Sequence, residues 1–304
     1  FNDAAHQAYS VDRYRFHKVN TGELVMNIDQ VTDVPTGQGF SNSLKLSVGT
    51  VESATASNEL VSIGQKIEAQ NLQNLRFGTS SADNLTLCFW VKSSLTGTYS
   101  VLMFQQDASS SPDRRYYSQP FTINVADTWE KKTINISGNQ DDTITNDNGQ
   151  GLEFRINLSA GSSLTSGSSD AWGSDTNSAV GQTANFSGTS SATFFFTGVQ
   201  LEVGEFDSNT MPSFPFESFE NNLKKCMRYY FNHYTPDDNG LYGLFTAHTS
   251  SAGRMPYRFI VPMRDAPTVS SSTASGFTWL GNNTSGNPSA IGSESLNKYS
   301  CTVN

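Results

Sequence analysis

A period of two in the apolar residues constrains the fold of this chain more than any other feature of its sequence. Apolar and polar side chains alternate in five runs, at residues 44–48, 85–91, 121–125, 152–158 and 195–203. Successive side chains of a β-strand point to opposite faces, so each run offers one apolar face to a core and one polar face to water. Each run therefore predicts a half-buried strand.

The segments between these runs predict how the strands are connected. Turn-forming residues occupy positions 36–39, 96–97, 147–149 and 187–188. Short strands joined by such turns are typical of antiparallel sheets, because parallel sheets need long helical crossovers. We therefore predict an all-β chain in which residues 1–205 form a jelly-roll-like antiparallel β-sandwich. Residues 159–191 are mostly Ser, Gly, Thr, Asn and Ala, and we interpret them as a surface loop over the sandwich.

A helical period replaces the strand period after the sandwich. The apolar residues at spacings of three and four are Phe216, Phe219, Leu223, Cys226 and Tyr230. This spacing places them on one stripe of a helix, and Ser218 suits the N-cap because its side chain can accept from a free amide of the first turn. We therefore predict a linker and connecting helix over residues 206–231, with the stripe at a domain or subunit junction.

The β pattern returns in residues 232–304. Short strands are predicted around residues 241–245, 257–261, 277–280 and 299–303. Large apolar residues are few here, and a domain of roughly 80 residues has only a marginal core on its own. Packing against other copies of the chain would supply the missing burial. We therefore expect a smaller C-terminal β-domain that acts as a trimerising or tip domain.

The charge balance disfavours several classes of partner. Lys and Arg number 19 against 28 Asp and Glu, which gives a formal net charge of −9. Binding to nucleic acid or anionic lipid requires clustered Lys and Arg, so we predict no nucleic-acid partner. No run approaches about 18 apolar residues, so we predict no membrane insertion. The chain opens on Phe1 rather than Met, which suggests a processed or partial product.

The sequence shows no motif for catalysis. It contains no Gly-x-Ser-x-Gly elbow and no glycine-rich phosphate loop, and no spacing singles out a pair of carboxylates. The three cysteines and four histidines have no spacing typical of a metal site. We therefore predict a protein that is not an enzyme and needs no cofactor.

One acidic segment leaves two interpretations open. Residues 141–149 are rich in oxygen-bearing side chains, the ligands that calcium prefers. A solvated polar loop is the first interpretation, because Ile144 stands where a ligand would be needed. The alternative is weak binding of a structural calcium ion by Asp142, Asp147 and Glu202.

Aromatic side chains are the candidates for sugar binding. Trp172 lies in the Ser/Gly-rich loop, where its ring either anchors the loop to the sandwich or offers a stacking face. Tyr116 and Tyr117 begin a strand, so alternation turns at least one of them outward; the alternative is a solvated strand edge. These three are our candidate glycan-binding residues, whereas we interpret Trp90 and Trp129 as core filling.

Three longer motifs resemble one family. Residues 197–204 read TGVQLEVG and lead through Pro-Phe-Glu at 215–217 into a helix that ends CMRYY at 226–230. Residues 87–93 read LCFWVKS, and residues 261–268 read VPMRDAPT. Together they resemble the virion attachment proteins of tailed bacteriophages, although Met227 and Phe219 stand where the family commonly has Gln and Tyr. More distantly, the sandwich resembles carbohydrate-binding modules through residues 39–45 and 199–202.

The resemblance, which covers residues 9–269 at least, implies a role. It implies a tail fibre, tail spike or head fibre on the exterior of the phage particle, usually a homotrimer. Its expected partners are other copies of itself, other virion proteins, and host-surface glycan or envelope. We therefore expect a non-enzymatic tail fibre or receptor-binding protein. The alternatives are a purely structural capsid decoration or head-fibre protein, and a binding module of a polysaccharide-degrading enzyme.

Overall fold

The chain is built mostly of β-strands in two units. The computed structural model describes residues 3–52, 55–107, 114–173, 178–232, 244, 246–247, 249, 253–270, 279–281, 284–286, 293–294, 296–297 and 299–303. The two units are Phe1–Pro215 and Phe216–Asn304. Their boundary lies between the predicted domain ends at residues 205 and 231, so residues 206–215 join the first unit and the helix joins the second.

The first unit is a sandwich of two antiparallel sheets. Its strands are β1 (Arg15–Val19), β2 (Val25–Val31), β3 (Ser43–Thr50), β4 (Leu60–Glu68), β5 (Leu85–Ser93), β6 (Gly97–Gln105), β7 (Arg115–Ile123), β8 (Glu130–Ile136), β9 (Gln150–Ala160), β10 (Trp172–Gly173) and β11 (Thr193–Val203). The six-stranded sheet has the order β1-β4-β9-β6-β7-β10, and the five-stranded sheet has the order β2-β3-β11-β5-β8. The predicted all-β sandwich is confirmed.

The inner faces of the two sheets share one core. Ile63 of β4 and Ile156 of β9 belong to the same buried cluster as Leu87 and Phe89 of β5. Each such side chain contributes about 1.5–3 kcal/mol when it is removed from water. Alternate residues of every strand point into this core. The residues between them lie on the two outer faces of the sandwich.

The last strand of the sandwich changes phase at a β-bulge. Phe194 and Phe196 are buried in the core, so Phe195 points to the outer face, against the phase that the alternation predicted. The register shifts between residues 197 and 200, around Gly198 with its φ of 63°. Beyond the bulge Leu201 packs against the core as predicted. The one extra residue of the bulge accounts for the wrong phase at Phe195.

The Ser/Gly-rich loop lies against the outer face of the six-stranded sheet. The Nδ2 of Asn157 on β9 donates to the carbonyl oxygen of Ser178 at 2.7 Å. The hydroxyl of Ser100 on β6 donates to the side-chain oxygen of Gln182 at 2.9 Å. These contacts show the loop over the sandwich as predicted, except that residues 159–160 belong to β9 and residues 172–173 form β10. They leave Asn157 and Ser100 fully buried on an outer face.

The second unit begins with the predicted helix. Helix α1 (Phe219–Met227) starts at Ser218, whose hydroxyl accepts from the amide of Asn221 at 3.4 Å. Glu220 lies in the first turn and Lys225 in the last, where each charge suits the helix dipole. Within the described part of the chain, no helix has the length and apolar character that crossing a membrane requires.

Short strands follow the helix. They are β12 (Thr246–Ala247), β13 (Gly253–Arg258), β14 (Trp279–Gly281), β15 (Thr284–Gly286), β16 (Ser293–Glu294) and β17 (Ser300–Val303), in the orders β12-β13-β17-β16 and β14-β15. The prediction at residues 299–303 is confirmed by β17. The strand predicted at 257–261 lies earlier, as β13, and ends at Arg258. The strand predicted at 241–245 falls outside the described residues apart from residue 244, as does the start of the one predicted at 277–280.

Candidate functional site

Charged and aromatic side chains form one row across the outer face of the six-stranded sheet. Lys66 of β4 lies opposite Glu153 of β9, and Glu153 lies opposite Phe104 of β6. Phe104 in turn lies opposite Tyr116 of β7. These four strands span about 14 Å at the usual strand spacing. We call these four residues and Arg155, whose guanidinium lies over the ring of Phe104, the outer row.

The alternation within β9 sends two opposite charges to the outer face. Leu152, Phe154 and Ile156 belong to the core, so Glu153 and Arg155 point the other way. The Nη2 of Arg155 donates to Oε2 of Glu153 at 2.7 Å. The two side chains therefore hold each other in place along the strand.

The carboxylate of Glu153 is fully buried although it lies on an outer face. Besides the bond from Arg155, its Oε1 lies 2.8 Å from Nε2 of His17 on β1. Burial alone would raise the pKa of this carboxyl, but the hydrogen bonds from His17 and Arg155 and the charge of Arg155 hold it well below its usual range. Glu153 is therefore ionised, and it acts as the acceptor that orients both partners.

His17 is the neutral donor of this network. Burial is the largest influence on its pKa, which is lowered to about 4 in spite of the hydrogen bond to Glu153. Because an ionised carboxylate only accepts, the neutral ring carries its proton on Nε2 and donates it to Glu153. The ring thus has one defined tautomer at neutral pH.

Tyr116 is the aromatic residue of the outer row that reaches solvent. Its ring is half-buried and packs at 4.9 Å between centroids on Phe104, which is only 5% exposed. Gly173 of β10 pairs with Tyr116, and a Cβ at Gly173 would meet no atom of the described residues within 4 Å. Within the described part of the chain, the space beside Gly173 is therefore open.

A glycine makes room for Arg155. A Cβ on Gly64 of β4 would lie 2.8 Å from Cγ of Arg155 and 2.2 Å from the carbonyl oxygen of Phe154. Arg155 therefore occupies space that a side chain at position 64 would need. Its side chain is 16% exposed, and its Nε has no hydrogen-bond acceptor among the described residues. This nitrogen is itself buried, so only the exposed part of the guanidinium can reach a ligand.

Tyr117 requires a correction, and Trp172 is engaged in packing. Tyr117 is 3% exposed within the core, so burial leaves its ring no free face for a sugar. The ring of Trp172 lies 5.6 Å from that of Tyr117 and 5.8 Å from that of Phe77, and its Nε1 donates to the carbonyl oxygen of Ser137 at 2.6 Å. These are the contacts of an anchor, so a stacking role for Trp172 stays a prediction.

The three residues predicted for weak calcium binding have protein partners. The buried carboxylate of Asp142 pairs with Nε of Arg115 at 2.6 Å. Asp147 accepts from a backbone amide of its own turn at 2.7 Å, and Glu202 accepts from Nε2 of Gln200 at 2.9 Å. In the described ranges, no group of three or more His, Cys, Asp or Glu side chains is placed to hold a metal ion. Calcium at these residues stays a prediction.

The stripe predicted for a domain or subunit junction is accessible in the single chain. Phe219 is 81% exposed and Tyr230 74%, while Phe216 and Leu223 are also exposed and Cys226 is partly buried. The structure contains one chain, so a junction between subunits stays a prediction.

Trp90 and Trp129 lie on the outer face of the five-stranded sheet, which corrects their interpretation as core filling. Both are half-buried and neither belongs to the core. The Nε1 of Trp129 donates to Asp33 at 3.1 Å, and the ammonium of Lys92 lies over the rings of Trp129 and Phe195. Alternation explains the result, because Trp90 follows the buried Phe89 and must point outward.

Comparisons with known proteins give matches among solved structures. No family model matches the chain, and no curated protein matches it. The enzymatically active domain of a tailspike protein of bacteriophage CBA120 is 15% identical with a TM-score of 0.38, over 66% of this chain and 21% of the tailspike chain. A putative sugar-binding protein of Bacteroides thetaiotaomicron is 14% identical with a TM-score of 0.37, over 66% of this chain and 94% of that one.

A third solved structure is a family 11 carbohydrate-binding module of a cellulosomal cellulase of Clostridium thermocellum. It is 9% identical with a TM-score of 0.35, and the match covers 68% of this chain and 96% of the module. At such identities and scores, no ligand or activity is transferred from these proteins to this chain.

Proposed function

We propose that this chain is a non-enzymatic attachment protein of a tailed-bacteriophage virion, and that it binds host-surface glycan through the outer row. The observation that supports this most is the position of Tyr116. Its half-buried ring packs on Phe104, whose ring also lies under the guanidinium of Arg155, and no described residue fills the space beside Gly173. An aromatic face next to fixed hydrogen-bond donors is the chemistry that sugar recognition requires.

Each accessible side chain of the outer row has a separate task. The ring of Tyr116 packs against the apolar C–H face of a pyranose. Arg155 donates to ring or hydroxyl oxygens, and Glu153 fixes its guanidinium through the bond of 2.7 Å. Lys66, half-buried at the other end of the row, supplies a further donor. Preorganised donors lose less entropy on binding than mobile ones do, so the buried Glu153 raises affinity without touching the sugar.

The proposed assembly is a homotrimer on the exterior of the virion. The resemblance of residues 197–230 to phage attachment proteins supports this, and so does the exposed apolar stripe of α1. A shallow site gives weak single contacts, and linking copies raises avidity by about 10²–10⁴ without any new contact. The partners proposed are other copies of the chain, other virion proteins and the host envelope, with neither nucleic acid nor inserted membrane among them.

Binding to host cells and to their extracted surface polysaccharide tests the site. Tyr116→Ala should weaken binding about 2- to 13-fold, because the contact of one aromatic ring contributes roughly 0.5–1.5 kcal/mol. Trp129→Ala is the matched control, since it removes a half-buried aromatic ring from the opposite face of the sandwich. Its binding should equal that of the wild type.

Other outcomes would favour other functions. Binding lost in Trp129→Ala and kept in Tyr116→Ala would place the site on the five-stranded sheet and contradict the outer row. Release of reducing ends from the polysaccharide would point to an enzyme. Absence of any binding would favour the purely structural decoration protein. Light scattering at several concentrations checks the trimer, and a monomer at every concentration would refute it.

A further inference from the structure

Arg15 of β1 is a buried cation without a partner. It is 9% exposed, and it points to the outer face of the six-stranded sheet because its neighbour Phe16 lies in the core. Its Nε is enclosed without an acceptor among the described residues, and no ion pair in this part of the chain includes it. A buried charge without a partner is costly. An anion from outside the protein would compensate it.

The strand register places Arg15 beside the outer row, at its β1 end. Arg15 lies opposite Gly64 of β4, and Gly64 lies opposite Arg155 of β9. The backbones of the two arginines are therefore about 10 Å apart, with no side chain at position 64 between them. Burial and then the positive charges of Arg15 and Arg155 lower the pKa of His6. Both cations thus act on the same part of the outer face.

The carboxylate nearest to these cations in the register is already bonded. Glu153 lies one row along β9 from Arg155, and its oxygens accept from Nε2 of His17 at 2.8 Å and from Nη2 of Arg155 at 2.7 Å. Lys66 lies opposite Glu153, so these two rows hold three cations and one carboxylate. The chain as a whole has a formal net charge of −9, so this face has the opposite balance. Such a local excess of positive charge attracts an anion.

We propose that Arg15 binds an oxyanion, the carboxylate or phosphate group of an acidic host glycan, at the β1 end of the outer row. This inference rests on the function proposed above and names the class of glycan. Nε is enclosed, so the terminal nitrogens of the guanidinium make the contact, and their paired donors match the two oxygens of such a group. From Tyr116 on β7 to Arg15 on β1 the sheet spans about 19 Å, so an oligosaccharide rather than a single sugar reaches both.

Binding of the full chain to surface polysaccharide extracted from host cells, before and after its charges are removed, tests the site. One portion has its carboxylates reduced to alcohols, and another has its phosphate groups removed with hydrofluoric acid. The wild type should bind one of the treated forms about tenfold more weakly than the native form, because hydrogen bonds between charged groups are lost. The treatment that weakens binding identifies the anionic group.

Two variants assign this preference to Arg15. Arg15→Met keeps the apolar stem, and it should bind the native form about tenfold more weakly than the wild type does, with no further loss on treatment. Lys131→Gln is the matched control, because it removes one positive charge from an exposed side chain of the five-stranded sheet. It should keep the preference of the wild type. Arg15→Met should also melt no lower than the wild type, since the unliganded chain loses no hydrogen bond.

Two results would overturn this inference and leave the proposed function in place. The first is a wild type that binds the native and both treated forms equally. The second is a wild-type preference for the native form in Arg15→Met, which would assign Arg15 a structural role if that variant also melts lower. If Arg15→Met does not fold, Arg15→Gln replaces it with the same expected loss. A wild type that binds no form of the polysaccharide refutes the proposed function, and this inference with it.

Discussion

The two outer faces of the sandwich differ in how deeply their charged side chains are buried. On the six-stranded sheet, Glu153 is fully buried, with His17 and Arg155 as its partners. On the five-stranded sheet, Asp33 pairs with Lys92 but its side chain remains 46% exposed. A buried charge depends on its partners, whereas an exposed one can return to water. The charges on the six-stranded sheet therefore depend on each other, whereas those on the five-stranded sheet can also be solvated by water.

The six-stranded face is also covered in part by a loop. The Ser/Gly-rich loop buries Asn157 and Ser100 on the six-stranded sheet through the contacts of Ser178 and Gln182. The outer row lies on the same face. Polar contacts enclose part of this face, and the outer row remains partly open. Such a face can hold hydrogen-bond donors in fixed directions, which specific binding requires.

The largest expected effect comes from breaking the buried ion pair. Glu153→Leu leaves Arg155 without its acceptor and should lower the free energy of unfolding by about 3–5 kcal/mol. Asp33→Asn is the matched change on the five-stranded sheet and should cost less than about 1 kcal/mol. Urea unfolding at pH 7 measures both. Equal costs for the two variants would remove the distinction between the faces.

The next largest expected effect is a pH dependence of stability that comes from His17 on the six-stranded sheet. The folded pKa of His17 is lowered to about 4 from 6.5, so the unfolded chain binds the proton more readily between these values. Stability should therefore fall as pH drops from 6.5 towards 4, by at most about 3 kcal/mol from this residue. His17→Gln should flatten the urea midpoint against pH in this window. An unchanged slope in His17→Gln would show that His17 does not titrate as described.

A smaller loss of stability is expected when a side chain is placed in the space that Arg155 occupies. Gly64→Ala puts a Cβ against Arg155 and the backbone of β9, and it should cost about 1–3 kcal/mol through overpacking. Gly173→Ala, where a Cβ meets no atom of the described residues within 4 Å, is the control and should leave thermal stability nearly unchanged. Similar melting temperatures for both variants would mean that Arg155 does not lie across Gly64.

The alternation of apolar residues was enough to predict the sandwich, but it did not predict correctly in every strand which residues face the core. The runs at residues 85–91 and 152–158 lie within β5 and β9, with the expected residues inside. The bulge around Gly198 reversed the phase at Phe195, because an inserted residue leaves no trace in a period-two pattern. The helix was recognised because its spacing is local, although only Phe219, Leu223 and Cys226 of the predicted stripe lie in α1 and the stripe residues on either side, Phe216 and Tyr230, lie outside it.

The outer row was harder to predict than the strands. Tyr116 was identified because it heads a strand and alternation allows it to face outward. Glu153 and Arg155 also face outward by alternation, yet their partners Phe104 and His17 lie in other strands. The order of strands in a sheet is set by long-range pairing, which one sequence does not reveal. The sequence therefore indicated single residues, and the strand order brings them into one row.

A crystal structure of the full chain bound to an oligosaccharide from the host surface would show whether sugar binds at the outer row. We expect a pyranose ring against Tyr116, with sugar oxygens in hydrogen-bond range of Arg155. Density for the sugar over Trp90 and Trp129 on the opposite sheet would contradict it.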